Sequence, residues 1–199
     1  MVGIIDYGVG NLFSLRSSFA AIGVEAFVSG DAGELAKADR LLLPGVGAFG
    51  AAAEKLRATG LDAFVREQAA AGKPLMGICL GMQLLFEKSY EYGDHEGLGL
   101  LKGQVVGMSG RLPEGLKIPH MGWNALKLTK AAKLLEEGSY VYFVHSFYAE
   151  NCEDSIAAVT DYGIPITAAV ETGNIFGCQF PPEKSGNVGL AILKKFCEV

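Results

Sequence analysis

Short apolar runs alternate with amphipathic stretches through the first hundred residues. Val2–Ile5 reads as a buried strand, and Asn11 stands where it can cap a helix carrying Leu12, Leu15, Phe19 and Ile22 on one face. A second strand is predicted over Val24–Val28 and a short helix from Asp31 or Gly33 to about Ala38. Arg40–Leu43 gives a third strand, stopped by Pro44-Gly45. Alanine-rich helices follow at 48–58 and 61–71, then a strand over Pro74–Ile78 and a helix from Leu80 to about Lys88. This β-α-β alternation predicts a parallel sheet covered on both faces. From about residue 104 strands dominate, at 104–107, 123–128, 140–144, 155–160, 166–171 and 174–179, and they could extend that sheet in antiparallel fashion. A last helix over about 186–197 turns Val188, Ala191, Ile192 and Phe196 inward. No linker, repeat or low-complexity segment interrupts the pattern, so residues 1–199 read as one domain.

Composition narrows the setting. Half of the 199 residues are hydrophobic, enough for a substantial core. The formal charge is −5 with no dense Lys/Arg cluster, which argues against nucleic acid as a partner. The N-terminus reads as a first strand and not as a signal peptide, and no apolar run is long enough to cross a bilayer. Four widely spaced cysteines form no C-x-x-C pair and the three histidines share no ligand spacing. A disulfide framework, a metal site and a cofactor are therefore not expected, and a reducing cytoplasm is the natural setting.

Chemistry concentrates at Gly77-Ile78-Cys79-Leu80-Gly81, between a strand and a helix. A sharp strand-to-helix turn exposes the residue at the bend, and small residues two positions to either side let the backbone fold there. The first N–H groups of the helix lack intrahelical partners and face such a residue. They can hold a developing oxyanion, and the positive helix end favours a thiolate. Cys79 is thus a candidate nucleophile; the competing reading is a core cysteine between packing glycines. Gly45-Val46-Gly47-Ala48-Phe49-Gly50 fits the outline of a dinucleotide fingerprint, but Pro44 precedes it, it follows the third strand, and no acid ends the next one.

Several further segments, in order, carry a resemblance: Ile5-Asp6-Tyr7-Gly8-Val9-Gly10-Asn11-Leu12, Leu43-Pro44-Gly45-Val46-Gly47, the Cys79 elbow through Leu85, Pro119-His120-Met121-Gly122-Trp123-Asn124, Val144-His145-Ser146, and Gly177 through Ser185. Over nearly its whole length the chain resembles the class I, triad-type glutamine amidotransferases. Within them it is similar to the glutaminase subunits of imidazole glycerol phosphate synthase, in histidine biosynthesis. The resemblance implies an α/β, three-layer, flavodoxin-like fold with a central, mostly parallel sheet, helices on both faces and added antiparallel strands. It implies that Cys79 attacks the amide carbon of glutamine to give a glutamyl thioester and ammonia, then glutamate. Leu80, with the backbone around Val46 and Gly47, would bind the oxyanion. Gln83 and Glu91 match substrate-holding positions, and the backbone at Ser146-Phe147 is a further grip. Read without the resemblance, Gln83 is an ordinary exposed helix residue and Glu91 one charge in a solvated acidic run, Glu87 to Glu96. The implied partner is a (β/α)8-barrel cyclase subunit that receives the ammonia. Asn11, Met121, Trp123 and Asn124 would face it, although Trp123 reads equally well as a core aromatic.

The chain departs from the family at one position. The family motif Q-F-H-P-E is here Gln179-Phe180-Pro181-Pro182-Glu183. Pro181 stands where the triad histidine should deprotonate the thiol and protonate the leaving nitrogen. Glu183, the orienting carboxylate, then has no imidazole to orient. Without an imidazolium partner the thiol returns toward a pKa of about 8.5. Losing a triad base costs on the order of a millionfold in turnover. His120 and His145 match residues that the family has in addition to its catalytic histidine, so neither is a free replacement. Folding should survive, because an exposed loop position of compatible φ accepts proline. Two functions stay open: a glutamine-hydrolysing subunit of impaired turnover, or an inactive subunit that keeps docking and glutamine binding.

Overall fold

The computed structural model describes residues 1–199. Its first half follows the periodicity closely: β1 Val2–Ile5, α1 Leu12–Ala21, β2 Ala26–Ser29, α2 Ala32–Leu35, β3 Arg40–Leu43, α3 Phe49–Ala58, α4 Leu61–Ala70, β4 Leu75–Ile78 and α5 Leu80–Leu84. The helices form where the apolar spacing demands. In α3, Phe49, Ala52, Ala53 and Leu56 are buried, and in α4, Leu61, Phe64, Val65 and Ala69, both at the i, i+3, i+4, i+7 spacing of a single face. Helix α2 begins at Asp31, whose carboxylate accepts from the Glu34 N–H at 2.8 Å.

The remaining elements are β5 Phe86–Ser89, β6 His95–Glu96, β7 Leu101–Gly107, β8 His120–Ala125, β9 Lys127–Leu128, β10 Tyr140–His145, β11 Phe147–Glu150, β12 Ile156–Asp161, β13 Pro165–Thr172, β14 Ile175–Cys178, a 3-10 turn over Pro182–Lys184, and α6 Gly186–Phe196. One sheet of eight strands runs in the order β2-β1-β3-β4-β14-β13-β12-β9. It is parallel from β2 to β14 and antiparallel from there to its edge. Strands β1, β4 and β14 are buried along their whole length, as strands covered on both faces must be. On one face pack α3 and α4, through Phe49, Leu56 and Val65. On the other pack α1 and α6, through Leu15, Phe19, Ile192 and Phe196, together with Val141 and Phe143 of β10. No helix is long and apolar enough to cross a membrane.

Three expectations are corrected. The helix from Leu80 stops at Leu84, and Phe86–Ser89 is a strand, because Phe86 and Ser89 bury while Glu87 stays exposed and the segment pairs with β7. Strand β11, absent from the pattern reading, pairs with β7 in the same four-stranded sheet, β11-β7-β5-β6. The run expected at 123–128 is divided: β8 pairs with β10 in a separate two-stranded ribbon, while β9 closes the edge of the main sheet. Only part of the second half therefore extends the central sheet.

Candidate active site

The bend at Cys79 is built by glycines meeting backbone. Strand β4 ends at Ile78, and Cys79 takes φ 52°, ψ −115° before α5 begins. A non-glycine residue held in such a region costs on the order of 1–3 kcal/mol and persists where its surroundings over-determine it. A Cβ on Gly77 would lie 2.6 Å from the Gly81 carbonyl oxygen, and one on Gly81 would lie 1.9 Å from the Leu43 carbonyl oxygen. A Cβ on Gly45 would lie 2.7 Å from the Gly81 nitrogen. The strand, the bend and the Pro44-Gly45 turn thus mesh at backbone contact. The Cys79 N–H donates to the Cys178 carbonyl at 2.8 Å, which ties the bend to β14.

Around this sulfur lies an open cleft of about 390 Å³, a volume that suits a small ligand. Cys79, Leu80, Val46, Gly47, Gln83, Glu91, Ser146, Phe147, Pro181 and Glu183 all line it, and Asn11 reaches its rim. The Leu80 N–H opens α5 and has no intrahelical partner. Gly47 has φ +90°, in the left-handed region that favours glycine. Tyr7 fixes the approach to this segment by donating its hydroxyl to the Pro44 carbonyl at 2.8 Å.

Gln83 and Glu91 are both buried, contrary to the exposed readings open to them from sequence. Gln83 donates to the Phe147 carbonyl at 3.2 Å and to Gln179 Oε1 at 2.9 Å, joining α5 to β11 and to the segment after β14. Glu91 accepts from the Phe49 N–H at 2.6 Å and so caps α3, the helix that follows Val46-Gly47. Gln179, Tyr7, Tyr92 and Lys184 belong to the surroundings of the site yet escaped the sequence reading; Gln179 and Lys184 stand inside the quoted C-terminal motif, while nothing local marks Tyr92.

Pro181 is buried, which corrects the expectation of an exposed loop position. It fits because its φ is −76° and because it precedes a turn whose first residue is Pro182. Ser185 clamps the turn, donating to the Pro181 carbonyl at 2.9 Å and accepting from the Tyr142 N–H at 3.1 Å. Glu183 Oε2 is buried and no donor of the protein reaches it. Burial holds this carboxyl above the usual carboxylate range. Burial, and then the negative charge of Glu183, push the Cys79 thiol far above the ordinary thiol range. The cleft thus gathers the Cys79 thiol, the Leu80 residue that opens α5 and the Glu183 residue, and Pro181 brings no titratable group to it.

His145 also lines the cleft, with both ring nitrogens engaged. Nδ1 donates to the Phe147 carbonyl at 2.8 Å and Nε2 meets His120 Nδ1 at 3.1 Å. Burial pushes its pKa down to about 4. A ring so committed is not free to serve Cys79.

The remaining expected residues lie apart, on the β8–β10 ribbon. Met121 and Trp123 are 58% and 54% exposed and share one face with Tyr140 and Val144 from the paired strand. Asn124 alternates to the opposite face. There its side chain meets His120 Nε2 at 2.9 Å and donates to the Asp161 carbonyl at 3.2 Å.

Residues 3–199 match the family model for class-I glutamine amidotransferases, and the chain belongs to that family. Among solved structures it superposes on a glutamine amidotransferase with a TM-score of 0.77 at 20% identity, covering 99% of this chain and 97% of that one. The PurLQS structure from Thermotoga maritima gives 0.73 at 20% identity, covering 99% and 97%. These establish the class I amidotransferase fold. Among curated proteins it is 50% identical over 204 residues to the imidazole glycerol phosphate synthase subunit HisH of Wolinella succinogenes, with both chains fully covered. The subunit of that name from Caldanaerobacter subterraneus is 51% identical over 203 residues, covering 100% of this chain and 98% of that one. Full-length identity at this level places the chain within the HisH group of synthase subunits.

Proposed function

We propose that this chain binds L-glutamine in the Cys79 cleft and acts as the ammonia-supplying subunit of an imidazole glycerol phosphate synthase, with its own turnover strongly impaired at Pro181. In this reading Cys79 attacks the glutamine amide carbon, and the Leu80 N–H with the Val46-Gly47 backbone holds the oxyanion. Gln83 and Glu91 keep the substrate walls in place, and the Ser146-Phe147 backbone holds the amino acid. Ammonia passes to a (β/α)8-barrel cyclase docked over Met121, Trp123 and the Asn11 rim, in the cytoplasm. Residues 1–199 act as one domain, because the central sheet draws strands from both halves. The observation that carries this reading is the strained Cys79 bend beside a cleft that also receives Glu183.

A second reading has its own support: Glu183 Oε2 has no donor and Pro181 no titratable group. The chain would then dock and bind glutamine without hydrolysing it, while the synthase draws on free ammonia. Calorimetric titration with glutamine, and synthase turnover of the complex with glutamine or an ammonium salt as nitrogen source, separate the two. Binding with slow, Cys79-dependent use of glutamine supports the first; binding with use of ammonium alone supports the second. No glutamine binding at all overturns both.

A further inference from the structure

We propose that Gln179 is a positioning residue for substrate recognition: it holds the Gln83 carboxamide in one orientation, with the oxygen turned to the cleft, so that Gln83 offers the ligand an acceptor and no donor. The proposal rests on the glutaminase reading of the same cleft. The direction of each amide follows from one backbone carbonyl. The Phe147 oxygen can only accept, and it takes the Nδ1–H of His145 at 2.8 Å and an Nε2–H of Gln83 at 3.2 Å. Nitrogen is therefore the end of the Gln83 amide that faces β11. The second Nε2–H of Gln83 goes to Gln179 Oε1 at 2.9 Å, the shorter of its two bonds. Both amide protons are thus engaged inside the protein. Gln83 Oε1 receives no protein donor, and it is not sealed either, since the only buried side-chain polar atoms without a partner are Arg40 Nε and Glu183 Oε2. Gln83 lines the cleft and is 5% exposed, so that oxygen opens there.

Gln179 is itself firmly based. It is 1% exposed, its backbone N–H donates to the Ala168 carbonyl at 2.9 Å, and it follows Cys178, whose carbonyl accepts the Cys79 N–H at 2.8 Å. Gln83 is tied to the same bend, because its backbone N–H donates to the Cys79 carbonyl at 3.2 Å. Residues four apart on a helix have side-chain origins about 5–6 Å from each other, so one small ligand can meet both the sulfur and Gln83 Oε1. Without Gln179 the Gln83 amide keeps only its longer bond, and the terminal torsion of a glutamine is broad and two-fold. Oxygen and nitrogen can then trade places at the cleft. Glutamine carries donors at its amide and at its α-ammonium. With the amide at Cys79, the ammonium is the donor left for Gln83 Oε1, and an analogue without it leaves that acceptor unpaired.

The test is calorimetric titration with glutamine. Gln179→Met keeps the length of the side chain and removes the acceptor, and it should weaken binding by about tenfold or more. The loss should disappear in a Gln83→Ala background, because a residue that acts through Gln83 has nothing to hold once that amide is gone. For the same reason the preference for glutamine over glutaramate, the analogue lacking the α-amino group, should shrink in Gln179→Met. A second readout needs no ligand and decides the matter where a variant binds too weakly to titrate. Exchange of the Gln83 side-chain N–H protons with water, followed by NMR, should be slow in the parent and at least about tenfold faster in Gln179→Met. The Nε2 of Gln179 makes no hydrogen bond of its own, so direct contact with the ligand is the rival outcome. An equal loss in both backgrounds shows that contact, or a role in folding alone, and overturns the proposal. Fast exchange of the Gln83 protons in the parent overturns it as well. If the parent binds no glutamine at all, the glutaminase reading falls, whereas a parent that binds glutamine with an affinity unchanged in Gln179→Met refutes this proposal alone.

Discussion

Replacing Glu183 by glutamine should stabilise this protein, and the same change should destabilise it once a histidine stands at position 181. In the parent chain, Oε2 is buried with no protein donor. An unsatisfied buried acceptor costs about 1–3 kcal/mol, more when charged. A neutral amide removes the charge, so Glu183→Gln should gain stability. In Pro181→His the imidazole N–H satisfies that oxygen, and a hydrogen bond to a charged group contributes about 1.5–3 kcal/mol, which the amide would forfeit. The residue is only partly buried, which weakens both effects, so a coupling of about 2 kcal/mol is expected from the four-variant cycle. The pH dependence has a definite sign. The folded pKa of Glu183 is raised by burial above its ordinary 4.5. Its penalty is therefore absent below that value, where both states are protonated, and grows as pH rises toward the folded pKa. Urea denaturation of the four proteins, followed by circular dichroism at neutral pH and below pH 4.5, measures the cycle. If Glu183→Gln destabilises the parent as much as it destabilises Pro181→His, the carboxylate is satisfied by some other group and the reasoning fails.

Other predictions follow from single contacts. Gly81→Ala would force a Cβ to within 1.9 Å of the Leu43 carbonyl oxygen, so urea denaturation should show a loss of at least about 2 kcal/mol; an unchanged midpoint would mean the bend is looser than described. Alkylation of Cys79 by iodoacetamide should keep rising past pH 9.0, because burial and Glu183 oppose the thiolate, whereas a plateau near neutrality in the parent chain would contradict this. Trp123→Ala should leave stability within about 0.5 kcal/mol, since the side chain is 54% exposed. The same change should weaken binding to the cyclase subunit at least tenfold by calorimetry, and undiminished affinity would move the docking face elsewhere.

Where one periodicity governs a segment, the sequence was sufficient. The faces of α3 and α4 and the buried run of β4 leave no other economical arrangement, and Gly77 and Gly81 announce the bend because no other residue fits there. Segments whose state depends on distant pairing were not legible. Phe86–Ser89 continues an apolar stretch that reads as helix until β7 claims it, and Phe147–Glu150 becomes a strand only against the same partner. The site shows the same division. Cys79, Pro181 and Glu183 sit in motifs whose chemistry is local, so their candidacy could be argued from residues alone. The burial of Glu91 could not, since it depends on the Phe49 N–H, 42 positions earlier in the chain. Nor could the opposed orientations of Trp123 and Asn124, which follow from where the β8–β10 ribbon lies on the body of the protein.

The measurement that bears most directly on the account is the rate of glutamate release from glutamine by the parent chain and by Pro181→His, each in complex with the cyclase subunit. With nucleophile, bend and carboxylate already in place, one imidazole should raise turnover by at least about 10³-fold. Equal rates in the two proteins, whether high or negligible, would contradict the claim that this cleft lacks only its base.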